Sequence, residues 1–226
     1  MKKASDLRIP FTWAERRPIL LDRAMYIPGY YDHHGSWGKL NFSSEELFGN
    51  NNPIAIEFCC GNGQWVGEMA KANPHLNWIG VDKLFERARK VWAKIHRESI
   101  PNLFVVCSDA ATFVRHYVES SSVHEIHINF PDPWPKLRHA KNRLVRKEFL
   151  HELSCILEIG AFAHFVTDDF PYLNWMLQEL SQSPLFQPIY PAPYYKENLE
   201  GFSPSFFGDL WTQQGRTIYH MKYRYG

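Results

Sequence analysis

Acidic side chains stand at or just beyond the ends of successive apolar segments of this 226-residue chain. These acids are Glu57, Asp82, Asp109, Asp132 and Asp168. Any one of them alone is typical of a helix N-cap or a solvated loop. In a parallel sheet, however, the carboxyl ends of the strands meet at one edge, and ligands bind outside that edge. The repeated pattern therefore predicts a ligand site lined by carboxylates.

A glycine turn follows the first of these apolar segments and narrows the choice of ligand. Gly61 and Gly63 allow the backbone to approach a ligand closely. Val66 stands where the dinucleotide fingerprint requires a third glycine. Asp82, about 20 residues downstream, is placed to hold ribose hydroxyls. A ribose partner suits NAD and S-adenosylmethionine equally.

The carboxylate of Glu57 favours one of these two ligands over the other. It suits the amino group and sulfonium centre of S-adenosylmethionine, whereas it would repel a pyrophosphate. No Lys or Arg lies between Gly61 and Gln64, and the chain has no Gly-Lys-Ser/Thr phosphate loop. We therefore expect S-adenosylmethionine as the cofactor and keep an NAD-dependent oxidoreductase as an alternative.

A second stretch suited to chemistry follows the fourth apolar segment. Pro131, Pro133 and Pro135 restrict the backbone around Asp132 and Trp134. Trp134 either walls the pocket or packs as an ordinary aromatic side chain. Cations without an intervening acid follow at Lys136, Arg138, Lys141, Arg143, Arg146 and Lys147. Because the net charge is only +1, attraction to nucleic acid must come from this local patch.

The elements that must position these residues alternate in type along the chain. Short apolar runs predict strands at 54–58, 77–82, 103–107, 123–130, 161–167, 186–190 and 217–225. Amphipathic runs predict helices at 64–72, 84–97, 110–118, 144–157 and 171–180. Strands alternating with helices predict an α/β fold with a mostly parallel, doubly wound sheet over residues 51–226. Residues 1–50 lack a sustained period and predict a partly ordered N-terminal arm, whose basic residues either contact RNA or form a solvated tail.

Composition places the chain in the cytoplasm. Its four cysteines have no C-x-x-C spacing, which favours buried thiols in a reducing compartment. The N-terminus has no apolar signal-peptide core. No stretch approaches the roughly 18 apolar residues of a membrane span. We therefore expect a cytoplasmic protein without a membrane partner.

The pair His124 and His127 has the H-x-x-H spacing that often binds metal. On a strand, positions i and i+3 point to opposite faces of the sheet. The two imidazoles are therefore expected to diverge, and we expect no metal cofactor.

Six pieces of the sequence, in order, resemble the bacterial-type tRNA (guanine-N(7)-)-methyltransferase family. They are IEFCCGNGQ, NPHLNWIGVD, SDA, INFPDPWPKLRHAKNRLVRKEFL, FVTDD and NLEG with QQGRTIYH. The string PDPWPK-x-RH-x-K-x-R is the most specific of them. The resemblance runs from about Ile54 to the C-terminus, which is most of the chain.

This resemblance implies a class I methyltransferase fold, that is, a Rossmann-like sandwich around a mostly parallel seven-stranded sheet with an antiparallel C-terminal strand. It implies methyl transfer from S-adenosylmethionine to nitrogen 7 of guanosine 46 in the tRNA variable loop. The implied cofactor-binding residues are Glu57, Gly61, Gly63, Asp82, Asp109 and Asp132. Asp132 is also the implied catalytic residue. The implied RNA-binding residues are Arg138, His139, Lys141 and Arg143, and the implied substrate contacts are Lys136, Asp168, Ser205 and Gly208.

The sequence departs from the family pattern at two places. Cys59 occupies the first glycine position of the family's E-x-G-x-G turn. The family's late T-x-x-E motif aligns with Ser205 to Gly208, so Ser205 retains a hydroxyl while Gly208 lacks the carboxylate. The second departure raises the alternative of a catalytically impaired or partner-dependent tRNA-binding protein.

The expected reaction needs no strong general base, because nitrogen 7 of guanine already carries an in-plane lone pair. The enzyme must align nucleophile, methyl group and sulfur. A fixed carboxylate can stabilise the positive charge that develops on the purine, and we expect Asp132 to fill this role.

The proline-rich loop and the rest of the sequence also bear on a rival reaction and on the expected partners. Asp132-Pro133-Trp134 also resembles the Asp-Pro-Pro-Tyr loop of enzymes that methylate exocyclic amines, although the cations after Trp134 argue against that reaction. We expect tRNA as the partner and no obligatory protein subunit, with the enzyme a monomer or a homodimer.

Overall fold

The computed structural model describes residues 2–8, 17–200 and 206–226 of the protein. Its chain divides into two compact units, Met1–Glu119 and Ser120–Gly226. This division falls well after residue 50, where the sequence pattern placed the start of the methyltransferase domain.

The first unit is built on five strands in the order β1-β2-β5-β4-β3. These strands are β1 Ile19–Leu21, β2 Ala24–Tyr26, β3 Ile54–Phe58, β4 Asn77–Asp82 and β5 Leu103–Cys107. Its helices are α1 Gln64–Ala72, α2 Phe85–Glu98 and α3 Ala110–Tyr117. All pairs are parallel except the β1–β2 hairpin. Every residue of β3, β4 and β5 is buried, as expected for parallel strands covered on both faces.

Helix α2 illustrates how the local sequence forms an element of this unit. Its buried side chains include Ala88, Val91, Trp92 and Ile95, which recur at three- and four-residue intervals and form one apolar face. The helix ends at Glu98, and its C-cap Ser99 takes a left-handed conformation with φ 50° and closes the last turn. The apolar face anchors the helix, so that its first turn lies beside the end of β4.

The second unit carries the remaining five strands of the described residues. These are β6 Val123–Asn129, β7 Leu157–Thr167, β8 Phe186–Pro188, β9 Lys196–Glu197 and β10 Tyr219–Tyr225. Its α-helices are α4 Lys147–Ile156, α5 Phe170–Ser181 and α6 Phe206–Gln213. Strands β6 and β7 are parallel, whereas β10 runs antiparallel to β7, β8 and β9. A 3₁₀ helix spans Leu137–Asn142 between β6 and α4.

The predicted α/β class is confirmed, with parallel strands and an antiparallel C-terminal strand. All seven predicted strands are present. The described residues also form the short strands β1, β2 and β9. Within the segment predicted as an N-terminal arm, β2 pairs with β5 and so extends the sheet of the first unit.

None of the helices in the described part of the chain has the length and apolar character needed to cross a bilayer.

Candidate active site

The glycine turn after β3 is held by the carboxylate at the end of β4. The Gly61 amide donates to Asp82 Oδ2 at 3.0 Å, and the Leu84 amide donates to Asp82 Oδ1 at 2.8 Å. The guanidinium of Arg87 lies 3.4 Å from Asp82 Oδ2. Asp82 is only 4% exposed. It therefore orders the turn and the start of α2 directly, besides its predicted role toward a ribose.

Gly63 is required where it stands because a side chain would not fit. Its φ is +71°, and a Cβ placed on it would lie 2.8 Å from Val91 Cγ2 on α2. The residue precedes α1, whose first turn has no side-chain cap. Uncapped amides at a helix N-terminus attract anionic or polar ligand groups. The close approach of α2 and the open helix start form a cradle that suits a nucleoside ligand.

Cys59 takes a left-handed conformation with φ 61°, which normally favours glycine. Burial raises the pKa of its thiol to about 12, with further contributions from the carboxylates of Asp82 and Glu57. The thiol therefore stays protonated at neutral pH. It adds bulk to the turn without adding charge.

The other two candidate cofactor-binding acids of the first unit, Glu57 and Asp109, differ in their exposure to solvent. Glu57 is 2% exposed at the end of β3, so its carboxylate is removed from bulk water. Asp109 is exposed and caps α3, where it accepts a hydrogen bond from the Thr112 amide at 3.1 Å. The structure thus gives Asp109 a helix-capping function, and its contact with the cofactor stays a prediction.

In the second unit, the loop after β6 is held in an unusual conformation. The Phe130 amide donates to Val166 of β7 at 2.9 Å, and Phe130 has a φ of 49°. Trp134 has a φ of 44°, and its amide donates to Asp132 Oδ1 at 3.2 Å. The Trp134 ring stacks on His139 with centroids 5.8 Å apart. Asp132 is exposed on this loop, where solvent and ligands can reach its carboxylate.

The side chain of Arg143 holds this loop in place through hydrogen bonds to its carbonyl groups. Its side chain is 6% exposed, with Nε donating to the Pro133 carbonyl at 2.9 Å and a second nitrogen to the Trp134 carbonyl at 3.4 Å. Its guanidinium also faces the rings of Tyr172 and Trp175 on α5, at 5.5 and 4.6 Å from their centroids. The sequence grouped Arg143 with the RNA-binding residues. These contacts place Arg143 as a support of the loop, and its contact with RNA stays a prediction.

The other RNA-binding candidates, Arg138, His139 and Lys141, lie next to the same loop, together with the substrate candidate Lys136. Lys136, Arg138 and Lys141 are exposed, and His139 is half-buried under Trp134. Arg138 Nε donates to His139 Nε2 at 3.1 Å. This placement is compatible with contacts to phosphate, which stay a prediction.

Asp168 has a partner that the sequence did not reveal. Arg216 donates to Asp168 Oδ2 at 2.6 Å, and its guanidinium lies 3.9 Å from the centroid of the Trp211 ring. Arg216 belongs to the QQGRTIYH segment, so its presence was visible, but its pairing across 48 positions was not. Of the late motif, Ser205 lies outside the described residues, whereas Gly208 is buried in α6.

The fold and these strand-end residues define a class I, S-adenosylmethionine-dependent methyltransferase. A family model described as "Putative methyltransferase" matches residues 51–221. Relatives matching almost the whole chain narrow the family further. The chain is 41% identical over 221 residues to the tRNA (guanine-N(7)-)-methyltransferase of Chlamydia abortus, covering 98% of this chain and 97% of that protein. The chain belongs to the tRNA (guanine-N(7)-)-methyltransferase family.

More distant relatives and solved structures agree with this placement. The enzyme of the same name from Bacillus cytotoxicus is 31% identical over 194 residues, covering 86% of each chain. The fold resembles the 16S rRNA methyltransferase KamB, with a TM-score of 0.60, 16% identity and coverage of 83% of this chain and 94% of that one. An antibiotic-related methyltransferase gives a TM-score of 0.58 at 20% identity, covering 84% and 97%. At these identities the two structures support the fold alone.

Proposed function

We propose that this protein transfers a methyl group from S-adenosylmethionine to nitrogen 7 of guanosine 46 in the variable loop of tRNA. The observation that carries the proposal is the match over 98% of the chain to a tRNA (guanine-N(7)-)-methyltransferase. The strand-end acids support it, because Glu57 and Asp82 lie at the carboxyl ends of β3 and β4, where such sheets bind their ligands. Activity in the cytoplasm and without an obligatory protein subunit is part of the same proposal.

The first unit supplies groups suited to the methyl donor. Bound S-adenosylmethionine would provide an electrophilic methyl group on a cationic sulfur. The Glu57 carboxylate would complement that positive charge, and the Asp82 carboxylate would accept hydrogen bonds from the ribose hydroxyls. Gly61 and Gly63 carry no side chains that would keep the ligand away from the backbone of the turn. Asp109 is assigned to the same ligand as a further acceptor.

The second unit supplies groups suited to the guanine and the RNA. Methylation converts a neutral imidazole portion of the purine into a cation, so a fixed carboxylate nearby lowers the barrier. Asp132 is assigned this role, because its carboxylate is exposed on a loop fixed by prolines and by Arg143. Lys136 and Asp168 are assigned to the substrate, with Arg216 orienting the Asp168 carboxylate. Arg138, His139 and Lys141 are assigned to the RNA backbone.

A second candidate function follows from Gly208. This position lacks the carboxylate of the family's late motif, which favours an impaired or partner-dependent tRNA-binding protein. The ion pair between Arg216 and Asp168 places another carboxylate at an ordered position in the same unit. Turnover by the purified chain alone decides between the two functions.

The test uses purified protein, labelled S-adenosylmethionine and unmodified tRNA transcripts with guanosine or adenosine at position 46. We expect label only in the guanosine transcript, mapped as 7-methylguanosine by reductive chain cleavage. Cofactor binding without methylation would favour the impaired enzyme, and a modified exocyclic amine would replace the proposed reaction. Asp132→Ala should lose at least about 100-fold in turnover if preorganised electrostatics carry the rate, and near-normal turnover would refute its catalytic role.

A further inference from the structure

We propose that Glu125, His127 and His164 form a binding site for one Zn²⁺ ion on the β6–β7 pair. Their ligand atoms, one carboxylate oxygen and two imidazole nitrogens, all lie within 4.8 Å of one another. The proposed chemistry of methyl transfer does not use these residues. The site is therefore an additional property of the second unit.

The strand geometry explains why the three side chains converge. Glu125 and His127 are two positions apart on β6, so they project from the same face of the sheet. His164 on β7 is the direct cross-strand partner of His127, and the two rings stack with centroids 4.4 Å apart. Neighbouring strands lie about 4.8 Å apart, so side chains at paired positions are close neighbours. Because the two rings stack nearly parallel, one ring must rotate to turn both lone pairs onto a single ion.

The spacing of the donor atoms fits a small divalent ion. Glu125 Oε1 and His127 Nε2 are 3.3 Å apart. Tetrahedral zinc with ligand bonds near 2.0–2.1 Å requires ligand atoms about 3.3 Å from one another. The other ligand atoms lie within 4.8 Å of one another, so side-chain rotation must close a gap of up to about 1.5 Å to reach this value.

The donor types also favour zinc over harder ions. Two imidazoles and one carboxylate match zinc, whereas magnesium and calcium prefer all-oxygen sites. Glu125 and His164 are half-buried rather than fully enclosed, which leaves an entry path.

The positive charge of Lys222, close to the three ligands, should weaken the binding of zinc. Lys222 lies on β10 as the cross-strand partner of His164, and its ammonium lies 4.3 Å from the centroid of the Phe162 ring. Its positive charge opposes a bound cation, while the Glu125 carboxylate favours one. Removing the ammonium should therefore strengthen zinc binding, which a merely structural polar cluster would not show.

The H-x-x-H spacing that suggested metal binding in the sequence is not the arrangement that the strands produce. His124 lies outside the cluster and pairs with Glu158 at 3.5 Å. His124 is thus a matched control on the same strand. The prediction of no metal cofactor was based on the expected divergence of His124 and His127. It did not consider His164, which lies on the neighbouring strand β7.

The experiment uses the untagged full chain after removal of metal with a chelator. Zinc is titrated by competition with a chromophoric chelator, for the wild type and for Glu125→Gln, His164→Gln, His124→Gln and Lys222→Gln. We expect one ion per chain in the wild type and roughly tenfold or greater weakening for the first two variants, since a direct ligand should cost at least as much as the 10–100-fold known for outer-shell partners. His124→Gln should bind like the wild type, and Lys222→Gln should bind more tightly.

A cobalt(II) titration keeps the proposal testable if a ligand variant unfolds. Wild-type protein should give the visible absorption of a tetrahedral or five-coordinate ion without a thiolate charge-transfer band. Such a band would place the metal on the four free cysteines instead and overturn the proposal. Absence of stoichiometric binding in the wild type, unchanged affinity in folded Glu125→Gln, or no gain in Lys222→Gln would also overturn it.

Discussion

The backbone of Cys59 takes a conformation that is unfavourable for any residue with a Cβ atom. Its φ of 61° places an L-amino acid in the left-handed region, where the Cβ crowds the following carbonyl. Glycine, which the family resemblance implies at this position, would avoid that cost. The neighbouring turn, with the Gly61 amide bound to Asp82 at 3.0 Å, fixes the conformation of Cys59 regardless of its side chain.

Replacing Cys59 by Gly should therefore stabilise the protein relative to Cys59→Ala. The two variants both remove the sulfur and differ only in whether a Cβ remains at positive φ. We expect Cys59→Gly to be more stable than Cys59→Ala by about 1 kcal/mol, because the left-handed penalty exceeds the entropy that glycine adds to the unfolded chain. Urea unfolding at neutral pH measures the difference. Equal midpoints in the two variants would show that the turn relaxes around Cβ.

At the scale of an element, the loop between Pro131 and Pro135 depends on a residue that follows it. Arg143 connects the carbonyls of this loop to the aromatic rings of α5. Trp175 adds a hydrogen bond from its indole to the Val145 carbonyl at 2.9 Å. The loop carrying Asp132 is thus held by a buried cation and by α5 as well as by its own prolines.

We expect Arg143→Met to lose both stability and turnover. Methionine keeps much of the packing but leaves the Pro133 carbonyl without its charged donor, a loss of about 2 kcal/mol. Turnover should fall at least about tenfold, because Asp132 is no longer held in place. The readouts are urea unfolding and steady-state tRNA methylation.

Arg138→Gln is the matched control for this variant, since it removes the same charge from an exposed position. It should leave the urea midpoint close to the wild-type value and raise the KM for tRNA rather than lower kcat. If Arg143→Met behaves in the same way as Arg138→Gln, Arg143 acts on the RNA and not on the loop.

The regular elements could largely be predicted because their signals are local. The buried strands β3, β4 and β5 are continuous apolar runs, and their predicted bounds match the structure. Strands β1, β2 and β9 have three residues or fewer, too short to show a period. Strands β2 and β9 form through pairing with the distant strands β5 and β10, and β1 pairs with β2 in a hairpin. Helix α4 was predicted from residue 144 but begins at Lys147, after the segment that buries Arg143.

The candidate site was predictable where a strand end carried the functional group. Glu57, Asp82 and Asp109 lie at or next to the carboxyl ends of their strands, and Asp132 follows β6. Contacts between distant residues were not predictable. The pairing of Arg216 with Asp168 and the convergence of His127 with His164 depend on strand register, which one sequence does not specify.

At the scale of the whole molecule, buried histidines make stability depend on pH. Burial lowers the pKa of His220 to about 4, whereas an unfolded histidine titrates near 6.5. At pH values between these two pKa values, His220 is protonated in the unfolded chain and neutral in the folded chain. Stability should therefore fall as pH decreases from 6.5 toward 4, by about 1 kcal/mol per pH unit from this residue alone.

His220→Gln tests this pH dependence, because glutamine does not titrate. Unfolding midpoints at pH 7, 6 and 5 in the presence of a chelator should give a shallower decline for the variant than for the wild type. Some decline should persist, since burial also lowers the pKa of His96. An unchanged slope in the variant would show that His220 accepts a proton in the folded state.

Charge distribution determines how the whole molecule should meet RNA. With a net charge of +1, the protein has no strong overall field, so binding should depend on the exposed cations after Trp134. Each phosphate contact contributes roughly 0.7–0.9 to the slope of log affinity against log salt. Replacing Lys136, Arg138 and Lys141 together by Gln should therefore reduce this slope by about 2 to 3, measured by filter binding of tRNA over a salt series. Replacing Lys71, Lys90 and Lys196, which are exposed lysines outside this patch, removes the same charge and should leave the slope nearly unchanged. An equal reduction in both triple variants would mean that net charge, and not the patch beside the Asp132 loop, governs tRNA binding.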